Sequence, residues 1–167
     1  MLETEMIRNR AENFNGDREA LELRAASINR GKWVYMIVRE ALKAGMSWPD
    51  IREAIRAAGV FKGYHEFPRT TDMREFARGF ATSELTKVND GRIPVLTDRE
   101  FVWEVHYCPM VEGWLHYTDD ERFIADLCDA CMEIDRGAME SYGWEFELGE
   151  TIGKGDGKCV LRMRKKS

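Results

Sequence analysis

The sequence predicts an α+β protein, with a helical N-terminal half followed by an antiparallel sheet of four to five strands and helices packed on one face of that sheet. Two observations predict it. Apolar residues recur every three to four positions over residues 1–84, as on one face of a helix, whereas residues 85–167 combine period-two segments with one long helix. Since no Pro- or Ser-rich linker divides the chain, residues 1–167 are predicted to form a single α+β domain.

Three helices are predicted in the first half. The first covers residues 25–44, where apolar residues such as Trp33 recur at helical spacing and are assigned to the buried face. The second begins at Ser47. The third takes Thr70 or Thr71 as its N-cap, because a threonine hydroxyl can accept a hydrogen bond from a free backbone N–H of the first turn.

The second half begins with strand patterns. Residues 85–88 and 92–96 flank Asn89-Asp90-Gly91, which predicts a hairpin between two strands. From Phe101 to Cys108 apolar and polar residues alternate, which predicts a strand that ends before Pro109.

A long helix and a final hairpin follow. The helix is predicted to begin after an N-cap at Asp119 or Asp120 and to run to about Tyr142, with Gly143 as its stop. The glycine-rich segment 153–157 is predicted to be a loop that returns the chain into the last strand, since glycine permits the positive φ that such loops need.

Composition narrows the class of function. The chain is 44% hydrophobic and 33% charged, which is ordinary for a folded globule, and its net charge of −5 argues against a nucleic-acid partner. It has neither an apolar run long enough for a membrane span nor a signal-peptide core, so no membrane partner and a cytoplasmic location are predicted. In that compartment cysteines are expected to be free thiols.

Three residues of the long helix are candidates for a site. Cys128, Cys131 and Asp135 are spaced i, i+3 and i+7 and therefore share one helix face, which apolar neighbours mark as inward. Burying a carboxylate is costly unless the carboxylate is paired or used. Two interpretations stay open for Asp135, either a functional acid or a rim residue paired with an arginine.

The strand end offers a second candidate group. His106 and Cys108 lie two residues apart and are expected on the same side of the sheet, where a thiolate–imidazolium pair would make a nucleophile. Simple packing is the alternative. Cys159 opens the last strand, and with the Cys128-x-x-Cys131 pair it makes zinc a minor possibility. Otherwise no cofactor or metal is expected.

Three sequence elements occur in a characteristic order within residues 101–163. They are a strand ending in Cys108-Pro109, a helix carrying Cys and Asp over 127–135, and a hairpin closing in Gly155-Asp156-x-x-Cys159. In this order they resemble the family named for L-2-amino-thiazoline-4-carboxylic acid hydrolase. The closing element is also similar to the end of vinyl-reductase-like small-molecule-binding domains.

The resemblance implies a hydrolase that opens a cyclic amidine-like C–N bond in a small-molecule substrate. Cys108 would be the nucleophile, or Asp135 would act as general base on water, and His106 would donate the proton. Further candidates are Cys131 and Cys159 in catalysis, and Arg136 and Lys32 for the substrate carboxylate.

Two other functions remain open at this point. The same residues suit a non-catalytic small-molecule or metal-binding sensor domain, or the cysteines are simply small buried hydrophobic residues. The sequence leaves the oligomeric state undetermined.

Overall fold

The computed structural model describes residues 6–166 and confirms the α+β architecture with a helical N-terminal half. Four helices come first: α1 Arg18–Lys43, α2 Trp48–His65, α3 Met73–Phe80 and α4 Ser83–Val88. Two strands and three helices follow: β1 Gly91–Leu96, β2 Glu100–Val105, α5 Pro109–Trp114, α6 Glu121–Cys131 and α7 Glu133–Tyr142. The chain ends with β3 Trp144–Leu148, a 3₁₀ turn Ile152–Lys154 and β4 Cys159–Lys165.

The sheet has four antiparallel strands in the order β1-β2-β4-β3, as the alternation in the sequence predicts. Residues of β2 and β4 that face each other on the inner side are buried, for example Phe101 opposite Met163 and Trp103 opposite Leu161. The outer face carries ion pairs, such as those of Glu100 with Arg162 and Arg164. The helices therefore pack on the apolar inner face, where the core lies.

Glycines allow two pairs of helices to approach closely. A Cβ on Gly31 of α1 would lie 2.7 Å from the carbonyl oxygen of Met110, so α1 packs directly on the backbone of α5. Gly59 of α2 lies against the backbone of Ile134 in the same way, which brings α2 onto α7. These two contacts hold the helical half against the second half of the chain.

The first predicted hairpin is wrong. Residues 83–88 form helix α4, whose N-cap Thr82 accepts a hydrogen bond from the Leu85 amide at 3.2 Å. Asp90, with φ of 48°, then turns the chain into β1. The real hairpin joins β1 to β2 through residues 97–99, so the strand segment before the Asn-Asp-Gly turn has to be corrected to a helix.

The predicted long helix is interrupted. Met132, with φ −71° and ψ −8°, ends α6, and α7 restarts at Glu133. Its predicted boundaries are nevertheless confirmed. Asp120 is the N-cap of α6, accepting a hydrogen bond from the Phe123 amide at 3.0 Å, and Gly143 with φ of 69° ends α7.

Of two further predicted helix starts, one is confirmed and one is wrong. Ser47 caps α2 and shares a reciprocal capping box with Asp50, as predicted for that helix start. The cap of α3 is Asp72, which replaces the predicted Thr70 or Thr71 because its carboxylate accepts from the Arg74 amide at 2.8 Å. Within residues 6–166, no helix has both the length and the apolar character required to cross a membrane.

Candidate functional site

The four cysteines come together between α5, α6 and the start of β4. The Cys128 side chain faces the 3₁₀ turn, and a Cβ on Gly153 would lie 2.8 Å from its sulfur. On the other side of that turn, the Cys159 sulfur accepts a hydrogen bond from the Ile152 amide at 3.3 Å. All four cysteines are free thiols. We call this group, with Cys108 and Cys131, the thiol cluster.

Burial makes the thiol cluster a set of neutral thiols. It raises the pKa of Cys128 to about 12, and it raises the pKa values of Cys108, Cys131 and Cys159 as well. The pKa values of Cys128, Cys131 and Cys159 are raised further by the like charge of an ionised Cys108. Cys128 acts on Cys131 and Cys159 in the same way, so Cys108 and Cys128 each lie close to the other members of the cluster.

Cys108 also has the surroundings most favourable to a thiolate. Burial raises the pKa of Cys108. Three groups lower that pKa and offset the effect of burial only in part: the backbone N–H groups of Val111 and Met110, and the charge of Arg30. Cys108 also retains some accessible surface, whereas Cys128 and Cys159 are buried. If one thiol of the cluster reacts, these contacts favour Cys108.

Asp135 is partly buried and lies next to Cys131, in the first turn of α7. Burial raises the pKa of its carboxyl group to about 7, against the opposing charges of Lys62 and Arg136. Its negative charge in turn raises the pKa of Cys131. Burial therefore favours the protonated form of this carboxyl group, beside thiols whose pKa values are raised as well.

His106 does not join this group, so the predicted thiolate–imidazolium pair has to be corrected. β2 ends at Val105, and the alternation of sides therefore stops before it reaches Cys108. The His106 ring lies on the outer face of the sheet, with Nε2 3.4 Å from a carboxylate oxygen of Glu104. Cys108 instead becomes the residue that precedes α5 on the inner side.

The two residues predicted to hold a substrate carboxylate are also engaged elsewhere. Arg136 donates to Asp129 Oδ1 at 2.8 Å and to Glu133 Oε1 at 2.7 Å. Lys32 lies on the outer surface of α1, where it lines a groove with Trp33. Arg136 thus pairs with two carboxylates and Lys32 lines the α1 groove, and the assignment of either to a substrate carboxylate stays a prediction.

Asn9 is a site residue that sequence reasoning missed. Its buried side chain donates from Nδ2 to the Cys108 carbonyl oxygen and accepts from the Cys108 N–H, both at 2.8 Å. Nothing in the sequence around Asn9 marks this role, because its partner is far away along the chain. The N-terminal segment is thus part of the wall around the thiol cluster.

A second feature is an apolar groove of about 460 Å³ along α1. Trp33 is 66% exposed and Ile37 is 61% exposed, so Trp33 does not lie on the buried face to which the periodicity assigned it. That face instead carries Tyr35 and Val38. The groove is lined by Asn29, Lys32, Trp33, Met36, Ile37, Glu40 and Tyr117.

The cysteine group gives no sign of a metal centre. Within the part of the chain that the structure describes, no three or more His, Cys, Asp and Glu side chains are placed to hold a metal ion.

Comparison with known proteins finds a likeness in three dimensions. No family model matches this chain, and no curated protein matches it. The chain is similar to the crystal structure of a trafficking protein particle complex subunit 3 from Naegleria fowleri, covalently bound to palmitic acid, with a TM-score of 0.58 and 13% sequence identity. The match covers 86% of this chain and 97% of that chain. At this identity the likeness shows a shared fold.

The predicted hydrolase function is wrong on this finding. The solved structure to which the chain is similar is a trafficking-complex subunit and not a hydrolase. The position of His106 agrees with the correction, because its Nε2 lies beside Glu104 and not beside a cysteine.

Proposed function

We propose that this chain is a subunit of a protein assembly and that it docks through the apolar groove of α1. The exposure of Trp33 and Ile37 on a well-formed helix is the observation that carries the proposal. The similar fold belongs to a protein described as a complex subunit, which supports it. We place the assembly in the cytosol, since the cysteines are free thiols, and cell fractionation tests that location.

The groove has the composition of an interaction surface. Exposed tryptophan, isoleucine and methionine side chains lie together on one face of α1, and Tyr117 stands beside them at 48% exposure. Contiguous apolar patches are uncommon on the surface of a monomer and mark binding sites. Since α1 has 26 residues and is about 39 Å long, it offers enough length for a helix-to-helix interface.

The occupant that fits the groove is a second copy of the chain. Lys32 and Glu40 stand on either side of Met36 along α1, at opposite ends of the groove. If two copies of α1 cross antiparallel at Met36, Lys32 of each copy meets Glu40 of the other. Such a twofold interface is self-complementary, as closed dimers require.

Sedimentation and light scattering of the purified chain test this. Wild type is expected to dimerise, and Ile37→Asp is expected to weaken the dimer at least tenfold because it places a charge at the centre of an apolar contact. Phe61→Asp is the matched control, because Phe61 is 62% exposed on α2 but lies outside the groove. A wild-type chain that stays monomeric at about 100 µM would end the dimer proposal.

A charge exchange tests the orientation of the two copies. Lys32→Glu alone and Glu40→Lys alone are each expected to weaken association by placing like charges opposite each other. The double variant restores opposite charges in the antiparallel arrangement, so association is expected to recover. Additive weakening in the double variant would show that the two residues do not face each other across the interface.

A second candidate function is suggested by the thiol cluster, since the similar structure carries a covalently bound palmitic acid. We propose Cys108 as the point of attachment for an acyl chain, because it alone combines partial exposure with two nearby backbone N–H groups. Its sulfur would attack the carbonyl carbon of an acyl-CoA. A new thioester forms, and coenzyme A leaves as the thiol with the proton from Cys108.

Intact-mass measurement after incubation with palmitoyl-CoA tests this second function. Wild type and Cys131→Ser are expected to gain one palmitoyl group that hydroxylamine removes, whereas Cys108→Ser gains none. Equal labelling of wild type and Cys108→Ser would rule out Cys108 as the attachment point. The dimer proposal does not depend on the result.

A further inference from the structure

β3 is an outer strand of the sheet, since the order β1-β2-β4-β3 leaves one of its two edges without a neighbouring strand. In an antiparallel ladder, successive residues direct their backbone groups to opposite edges of the strand. The Gly149 amide donates to the Val160 carbonyl oxygen at 2.9 Å, so in this register Glu145 and Glu147 also direct their backbone groups to β4. The N–H and C=O groups that point away from the sheet are those of Trp144, Phe146 and Leu148.

These outward backbone groups make up what we call the free edge of β3. Within residues 6–166, no hydrogen bond joins them to another element. The side chains of the same three residues are partly buried, whereas Glu145 and Glu147 are exposed on the outer face of the sheet. A strand that presents such an edge is a template on which an extended segment of another chain pairs.

Negative charge is in excess along the free edge. Three carboxylates follow it, those of Glu145, Glu147 and Glu150. The Glu147 side chain is 63% exposed, and its carboxylate lies 3.4 Å from Arg164 and 3.9 Å from Arg162. Both arginines also pair with Glu100 of β2. The arginines are therefore shared with a fourth carboxylate and neutralise the edge only in part.

A hollow of about 160 Å³ lies on the outer face where β3 ends. It is lined by Glu147, Gly149, Glu150, Val160 and Arg162. Because Gly149 has no side chain, nothing at that position separates the free edge from the hollow, and a Cβ there would meet only Val160, at 3.5 Å. With two carboxylates in its wall, the hollow suits one basic side chain that reaches over from a neighbouring strand.

We propose that the free edge of β3 binds an extended segment of a partner protein whose outward side chains are basic, with one lysine or arginine seated in the hollow. Backbone hydrogen bonds supply affinity in such pairing, and pockets for alternate side chains supply specificity. A second copy of β3 does not suit this edge, because glutamates of the two copies would lie opposite each other. The edge is separate from the α1 groove, so this proposal does not depend on the dimer.

The probe for this site is the acetylated and amidated peptide Thr-Arg-Val-Lys-Val-Lys-Thr, in which basic and apolar residues alternate. Calorimetric titration of the wild-type chain is expected to give a Kd of about 10 to 100 µM. The same peptide with glutamate in place of every basic residue is expected to bind at least about tenfold more weakly. No binding of the basic peptide up to about 1 mM would overturn the proposal.

N-methylation of the peptide separates strand pairing from simple charge attraction. Methyl groups on the two valine nitrogens remove the donors that face β3, whereas methyl groups on the two lysine nitrogens point away from it. The first peptide is expected to lose at least about tenfold in affinity and the second less than about threefold. Equal affinities of the two methylated peptides would show that no strand pairing takes place.

Two variants of the protein test the hollow. Glu147→Gln removes a carboxylate from its wall, and Gly149→Leu fills it. Both are expected to weaken peptide binding at least about fivefold. Gly149 does not have a positive φ, so leucine is expected to fit the backbone there. Glu22→Gln is the control, since Glu22 is 65% exposed on α1, and it is expected to leave the affinity within about twofold. Wild-type affinity in both hollow variants would place the peptide elsewhere.

Hydrogen exchange of the wild-type chain covers the case in which a variant does not fold. The outward amides of Phe146 and Leu148 are expected to exchange rapidly in the free protein and at least about tenfold more slowly with saturating peptide. The Glu147 amide, which faces β4, is expected to be protected in both states. Unchanged exchange of the outward amides would overturn the proposal. Protection that rises with protein concentration in the absence of peptide would overturn it as well, because a second copy would then occupy the edge.

Discussion

Asp135 has a pKa far from that of a free aspartate side chain. Its pKa is raised from 3.8 to about 7, and the cause is burial, which Lys62 and Arg136 offset only in part. The inward carboxylate was one of two interpretations that the sequence left open. The structure also shows why no arginine neutralises it, because Arg136 is directed to Asp129 and Glu133 instead.

The raised pKa makes stability depend on pH in a predictable direction. Since the folded state binds the proton of Asp135 more tightly than the unfolded state, its contribution to stability is complete below about pH 4 and is lost as the pH rises through about 7. We predict that Asp135→Asn, whose side chain cannot ionise, becomes more stable relative to wild type as the pH rises. The free energy of unfolding of the variant minus that of wild type is expected to increase by roughly 2 to 3 kcal/mol between about pH 5 and pH 8.

Urea unfolding at the two pH values measures that gain. Asp126→Asn is the control, since it removes one carboxylate from a partly exposed position of α6. Its difference from wild type is expected to change by less than about 0.5 kcal/mol between the two pH values. If Asp135→Asn shows no larger change than this control, Asp135 does not ionise within the folded state in that range.

At the scale of elements, the contact between α2 and α7 depends on residues without side chains. A Cβ on Gly59 would overlap the carbonyl oxygen of Ile134, and a Cβ on Gly137 would overlap that of Arg56. Because backbone atoms cannot rotate away, adding a methyl group forces the two helices apart. Asp135 lies on α7, one of the two helices that this contact positions.

We predict that Gly59→Ala lowers the free energy of unfolding by about 2 kcal/mol, because overpacking outweighs the better helix propensity of alanine. Gly16→Ala is the control, since a Cβ on Gly16 would have no other atom within 4 Å. Its change is expected to stay within about 0.5 kcal/mol. Thermal or urea unfolding of the three proteins measures both values, and equal stabilities would show that the helices adjust without cost.

Local signals in the sequence predicted the elements that local interactions determine. Ser47, Asp120 and Gly143 each act through neighbours within a few residues, so the helix boundaries they mark were predicted correctly. The alternation of β2 was predictable for the same reason, because one face of the strand is covered and the other is largely charged.

Failures came where a distant residue decides the local structure. Arg24 binds the carbonyl oxygens of Lys87 and Val88 at the end of α4, a contact over more than sixty residues that no local pattern reveals. Trp33 was assigned to the core because helical periodicity does not tell which apolar stripe is buried when a helix carries two.

At the scale of the whole molecule, the thiol cluster is a product of topology. Cys128 and Cys131 share a helix and were predictable as neighbours, but Cys108 and Cys159 join them only because β2 pairs with β4, which places Val105 opposite Cys159. Asn9 joins these surroundings from the N-terminal segment, by donating to the Cys108 carbonyl oxygen. The sequence therefore indicated the cysteines, but not their surroundings or the groove on α1.

Arg24 connects more of the molecule than any other side chain considered above. It joins α1 to Asn13 and to the end of α4, and its guanidinium lies 5.0 Å from the centre of the Tyr107 ring. Replacing it with methionine keeps the apolar stem but leaves carbonyl oxygens in the interior without donors. We predict that Arg24→Met lowers the free energy of unfolding by about 3 kcal/mol.

The urea dependence of unfolding distinguishes two ways in which this loss arises. If Arg24 holds residues 12–17 in place through Asn13 and Asn15, its replacement releases that segment from the folded protein. The slope of stability against urea then falls, because less surface remains to be exposed on unfolding. Arg18→Met is the control on the same helix, since the Arg18 side chain is 92% exposed, and it is expected to change stability by less than about 0.5 kcal/mol. A full loss of stability with an unchanged slope would mean that residues 12–17 stay in place without Arg24, held by the hydrogen bonds of Glu12 and Asn13 to Asp90.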